Sequence, residues 1–116
     1  MKIKPFILAF LCAAALGAAS VEVQTTPCLI VRGEDCWIEW TISGMTADKV
    51  NISVLQGNTV VQQFPNVANA PGQNRKAWHV PASLASGNYK FRVAVAGAAG
   101  VQGECVRELR ARGIYI

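Results

Sequence analysis

From about Val21 onward, apolar and polar residues alternate in short runs, the period of strands that bury one face. Val21-Glu22-Val23-Gln24-Thr25 predicts a short edge strand, and Pro27 ends it because proline has no backbone donor to extend a ladder. Leu29 to Asp35 reads as a connection turning at Gly33. In Cys36-Trp37-Ile38-Glu39-Trp40-Thr41-Ile42 the alternation puts Cys36, Ile38, Trp40 and Ile42 inward and Trp37, Glu39 and Thr41 outward. Lys49 to Leu55 alternates again, with Val50, Ile52 and Val54 inward, and Gln56-Gly57-Asn58 turns the chain into a strand over Thr59 to Phe64. Pro65 to Asn74 is polar and rich in Asn, Pro and Gly, and reads as a long, weakly constrained loop suited to contact with a partner.

The stretch from Trp78 to Val95 reads as strand, corner, strand. Arg75 to Val80 forms the first strand, with Trp78 and Val80 inward and His79 on the wet side. Pro81 ends it, Leu84 can plug the core from the turn, and Gly87-Asn88 releases the next strand. There Tyr89, Phe91, Val93 and Val95 share the buried face, and Lys90 and Arg92 the solvated one. Gly97-Ala98-Ala99-Gly100 reads as a flexible connection. Cys105 to Ile116 is the expected last strand, with Val106, Ile114 and Ile116 inward and Arg107, Arg110 and Arg112 forming a basic side that discourages edge pairing.

About seven such strands, closely spaced turn signals and no amphipathic helix predict an all-β sandwich of immunoglobulin or fibronectin-III type. The antibody-style bridge is missing, because the strand around Phe91 carries no cysteine. The core must therefore rest on Trp40, Trp78, Phe91 and the aliphatic rows.

Composition adds a compartment. Lys2 and Lys4, the apolar run Pro5 to Ala15 and the small residues Leu16-Gly17-Ala18-Ala19-Ser20 have the layout of a secretory signal over residues 1–20, leaving 21–116 as the domain. The run is shorter than the roughly 20 residues of a spanning helix, and no second one follows, so the mature chain is expected to have no transmembrane segment. Leu11 stands before Cys12, where a bacterial lipoprotein signal needs a small residue. Losing Lys2 and Lys4 leaves nine basic residues against seven acidic ones. That balance is too slight to point to nucleic acid or an anionic membrane.

Cys28, Cys36 and Cys105 remain after the signal, and an oxidising compartment should pair two of them. Three pairings exist. Gly33 favours Cys28–Cys36, because it can turn the chain back between them. Cys105 is then the odd thiol, either an inert core residue or the link of a disulfide-bonded dimer, because strand length places it at the opposite end of the sandwich.

Candidate chemistry is sparse. Trp37, on an outer face, is either a sugar-stacking platform or a ring covered by a loop or partner. Asn51-Ile52-Ser53 is a glycosylation triplet with its asparagine outward. His79 is the single histidine, with no cysteine or serine at motif spacing, and the carboxylates Glu34, Asp35, Glu39, Asp48, Glu104 and Glu108 are scattered. No metal-ligand spacing is present. The expectation is no catalytic residue, no metal and no cofactor, and hence no enzyme.

Ile38-Glu39-Trp40, Val50-Asn51-Ile52-Ser53-Val54-Leu55 and Trp78-His79-Val80-Pro81 with Leu84, Gly87 and Tyr89 carry a family resemblance. They look like the N-terminal domain of fungal cell-wall assembly proteins, which include yeast proteins required for β-1,6-glucan formation and Ser/Thr-rich GPI-anchored wall proteins. The similarity spans about Thr26 to Ile116. The Trp-x-Val-Pro-x-x-Leu-x-x-Gly-x-Tyr spacing is its most specific part. The resemblance implies a secreted immunoglobulin-like module at the cell wall and no catalytic residues. Members often continue into a Ser/Thr-rich stalk and an anchor signal, neither of which this sequence shows, so the expectation is an unanchored relative. Two functions follow: a wall or matrix module with polysaccharide as its ligand, or a secreted module that binds an extracellular protein, as an effector or envelope-assembly subunit.

Overall fold

The computed structural model describes residues 18–110. Residues 1–17 of the expected signal, Cys12 among them, lie outside them, as do Arg112, Ile114 and Ile116. Eight strands follow in chain order: β1 Ser20–Thr26, β2 Ile30–Val31, β3 Asp35–Ser43, β4 Lys49–Gln56, β5 Thr59–Ala68, β6 Gln73–His79, β7 Gly87–Val95 and β8 Ala98–Arg110. They form a three-stranded sheet in the order β1-β3-β6 and a five-stranded sheet in the order β2-β8-β7-β4-β5. The two sheets make an immunoglobulin-like β-sandwich. All pairings are antiparallel except the short parallel one of β2 with β8, Ile30 opposite Leu109 and Val31 opposite Arg110.

The core lies where the alternation puts it. Ile38 and Trp40 on β3, Val50, Ile52 and Val54 on β4, Trp78 on β6 and Tyr89, Phe91 and Val93 on β7 are all buried. The Trp78 and Phe91 rings meet edge to face across the sandwich, centroids 5.8 Å apart at 68°. That geometry adds to the roughly 1.5–3 kcal/mol that burial of each large side chain contributes. The corner after β6 is tied down by polar groups. Val80 donates to the Glu34 carbonyl at 3.0 Å, and the Gly33 amide donates to the Val80 carbonyl at 2.8 Å. Gly33 sits at φ 78°, a conformation that side chains disfavour. Leu84 packs against the core, and the Tyr89 hydroxyl donates to the Ala85 carbonyl, forming a tyrosine corner.

Four local expectations are corrected. Residues 65–74 are mostly strand: β5 runs through Pro65 to Ala68 and β6 begins at Gln73. Both are edge strands, so polar composition on both sides is no obstacle, and Pro65 is tolerated at an edge. Asn66, at φ 55°, sits in the bulge where the β4–β5 register shifts between Val50 and Ile52. What remains of the loop is anchored, because the Asn69 carboxamide accepts from the Trp40 indole at 2.8 Å and donates to the Ala47 carbonyl at 2.9 Å.

Residues 98–100 begin a strand rather than a flexible link, because the chain has already reversed at Gly97. The register of the last strand is also shifted by one. Cys105, Arg107 and Leu109 turn inward, and Val106 is 55% exposed. The reason is a close approach at Gly103, where a Cβ would overlap the Val21 carbonyl of β1. Only glycine fits there, and its position sets the parity of every residue after it. Lastly, the segment expected to be a pure connection holds β2, whose partner β8 is about 79 residues away in the chain, beyond the reach of local pattern.

Candidate functional site

The outer face of the β1-β3-β6 sheet carries the residues with recognition chemistry. Trp37 lies on it, 36% exposed, between Thr26 of β1 and Ala77 of β6. The Arg75 guanidinium sits 3.9 Å from the centroid of its ring, so a cation–π contact, not a loop, flanks the indole. Next to it, Glu39 accepts from the Gln24 carboxamide at 3.0 Å and from the Thr26 hydroxyl at 3.1 Å. Beyond that pair lies a shallow cavity of about 110 Å³ lined by Glu22, Gln24, Glu39, Thr41 and Gln73. At the other end of the face, the His79 ring pairs with Asp35 at 2.9 Å, both well exposed.

This face therefore joins one flat aromatic surface to carboxylates, carboxamides, a hydroxyl and a guanidinium. Such a set can stack an apolar ring face and hydrogen-bond the groups around it. The alternation had placed Trp37, Glu39 and Thr41 outward. It did not join them to Gln24 and Arg75, because cross-strand register sets those neighbours. Asn51 is exposed on the other sheet, where its side-chain oxygen accepts from the Asn66 amide at 2.9 Å.

Among the described residues no disulfide is present: Cys28, Cys36 and Cys105 are free thiols, and the expected Cys28–Cys36 bridge is not seen. Cys28 is exposed in the linker between β1 and β2, whereas Cys36 points into the core from β3. Cys105 is not remote from them. It faces inward from β8 and packs against the core that contains Cys36. Burial pushes the Cys36 thiol up to about 12, with the neighbouring Cys105 adding to the rise and Arg107 and the Thr25 hydroxyl opposing it. Burial also raises Cys105, partly offset by Arg107 and reinforced by Cys28. Thr25 is the hub of this corner. It accepts from the Arg107 guanidinium at 3.0 Å and donates to the Pro27 carbonyl at 2.8 Å.

Among the described residues, no group of three or more His, Cys, Asp or Glu side chains converges as a metal would require, and no helix is long and apolar enough to cross a membrane. No family model and no curated protein matches the chain. Among solved structures, the chain is similar to the crystal structure of an engineered protein, with a TM-score of 0.52 and 18% identity over 81% of this chain. It spans 20% of that protein's length. A likeness at this identity defines the architecture shared with that protein, an all-β fold, and nothing finer.

Proposed function

We propose that this chain is a small secreted, non-catalytic immunoglobulin-like module of the cell wall or extracellular matrix that holds polysaccharide on the outer face of its three-stranded sheet. The observation that carries the reading is the Trp37–Arg75 platform, with Gln24, Glu39 and Thr26 beside it. A sugar offers one apolar ring face and a rim of hydroxyls, which the indole and the flanking polar groups complement. The signal-like layout of residues 1–20 and the resemblance of the Trp78-to-Tyr89 motif to fungal wall-assembly domains support export and a wall setting. That motif supplies core and corner residues, so it supports the architecture more directly than the ligand.

A protein-binding reading has its own support at one end of the sandwich. Met45 is 37% exposed there, beside a cavity of about 360 Å³ lined by Ile42, Met45, Ala47, Asn69 and Pro71. Methionine at an exposed rim adapts readily to a partner surface. Co-sedimentation with insoluble β-glucan separates the two. Retention of the wild type and its loss in a folded Trp37→Ala variant is the expected result. Equal retention of both proteins, or none of either, overturns the polysaccharide reading at this face.

A further inference from the structure

Three thiols from distant parts of the sequence are graded from surface to core, and Cys105 is the one that feels both of the others. Cys28 is exposed, Cys105 half-buried and Cys36 buried. The β1–β2 linker that carries Cys28 is held to β8 on both sides. Before it, the Arg107 guanidinium reaches Thr25, which in turn holds the Pro27 carbonyl. After it, Ile30 pairs with Leu109. Cys28 is therefore suspended beside the stretch of β8 between Arg107 and Leu109. Cys105 shares the inward face of that stretch, two residues before Arg107 and thus about 6–7 Å along the strand. A disulfide needs Cα atoms within about 7 Å and Cβ vectors that converge. Cys28 lies between strands, so no ladder has to break for it to meet that condition. Cys36 lies within β3 opposite Trp78 of β6, so it cannot move without breaking that ladder.

From this placement we infer that Cys28 and Cys105 are a thiol pair that closes into an intrachain disulfide, stapling the β1–β2 linker to β8 and leaving Cys36 as a sealed core thiol. The oxidant is a small-molecule disulfide of the glutathione class. Exposed Cys28, as its thiolate, attacks one sulfur of oxidised glutathione, and one glutathione thiolate leaves. The Cys105 thiolate then attacks the Cys28 sulfur of the mixed disulfide and expels the second glutathione thiolate. One protein S–S bond forms and one glutathione S–S bond breaks. Two electrons pass from the protein thiols to the oxidant, and the two thiol protons end on the released glutathiones. The bridge closes a loop spanning most of the domain, so it should raise the melting temperature by restricting the unfolded chain. The pairing does not depend on the polysaccharide reading.

The test is oxidation of the purified protein with oxidised glutathione, followed by non-reducing tryptic mapping. Arg32 separates Cys28 from Cys36, and Arg92 and Arg107 bound the Cys105 peptide, so each pairing gives a distinct linked product. The expected main species is the Cys28 peptide ending at Arg32 joined to the Val93–Arg107 peptide, in a protein that remains monomeric on a non-reducing gel. Its melting temperature should rise by several degrees on oxidation. That shift should vanish with dithiothreitol and in Cys28→Ser, and persist in Cys36→Ala. A main product containing Cys36, a disulfide-linked dimer, or glutathione retained on Cys28 with no linked peptide overturns the inference. The wild-type map decides even if the Cys36→Ala variant fails to fold.

Discussion

Trp78 and His79 are adjacent in β6 and have opposite fates. Trp78 is 4% exposed and meets Phe91 edge to face, whereas His79 stands in solvent with Asp35 as its partner. Trp78→Ala should therefore cost about 3–5 kcal/mol. His79→Ala should stay within about 0.5 kcal/mol, because an exposed polar contact contributes little. Chemical denaturation of the two variants checks the contrast, and equal losses would contradict the register of β6. Gly103 is the second residue-scale case. A Cβ there overlaps the Val21 carbonyl, and backbone cannot swing away as a side chain can. Gly103→Ala should destabilise by about 1–3 kcal/mol through overpacking, read as a lower denaturation midpoint at unchanged slope.

At the scale of elements, β8 shows how one contact sets a whole strand. Once Gly103 faces β1, Cys105, Arg107 and Leu109 must face inward and Val106 outward. Leu109→Ala should cost about 2–5 kcal/mol and Val106→Ser no more than about 0.5 kcal/mol, again by denaturant melts. The reverse order would restore the sequence-based register, with Val106 in the core. The polar stretch 65–74 makes the complementary point. Its prolines, glycine and asparagines are loop formers by propensity, yet β5 and β6 extend through most of it, because an edge strand needs only one partner and tolerates proline and a bulge.

For the whole molecule, the buried thiols tie stability to alkaline pH. The folded protein holds Cys36 protonated up to about 12, whereas the unfolded chain releases that proton near its ordinary 9.0. Above 9.0 the unfolded state binds fewer protons than the folded one, so stability falls as pH rises between those values and is fully present below them. Cys105 and Tyr89, also raised by burial, act in the same direction. Under reducing conditions the unfolding free energy should drop by a few kcal/mol, in order of magnitude, across that window. Cys36→Ala should flatten the decline without removing it. A pH-independent midpoint in the wild type would mean that Cys36 is not sealed in the folded state.

Alternation alone determined the class of fold and most of the core. A strand with one buried face must repeat every two residues, and Trp40, Ile52, Trp78, Tyr89 and Phe91 are all read correctly from that repeat. The outward position of Trp37 and His79 came from the same rule. Tertiary structure decided what no local period encodes: which strands neighbour one another, and how closely the sheets approach. The pairing of β2 with β8, the Gly103 approach to Val21, the Arg75 guanidinium on Trp37 and the Arg107 guanidinium on Thr25 all join residues far apart in the chain. Each depends on strand order and cross-sheet distance, which follow from packing two twisted sheets and not from the pattern along either one.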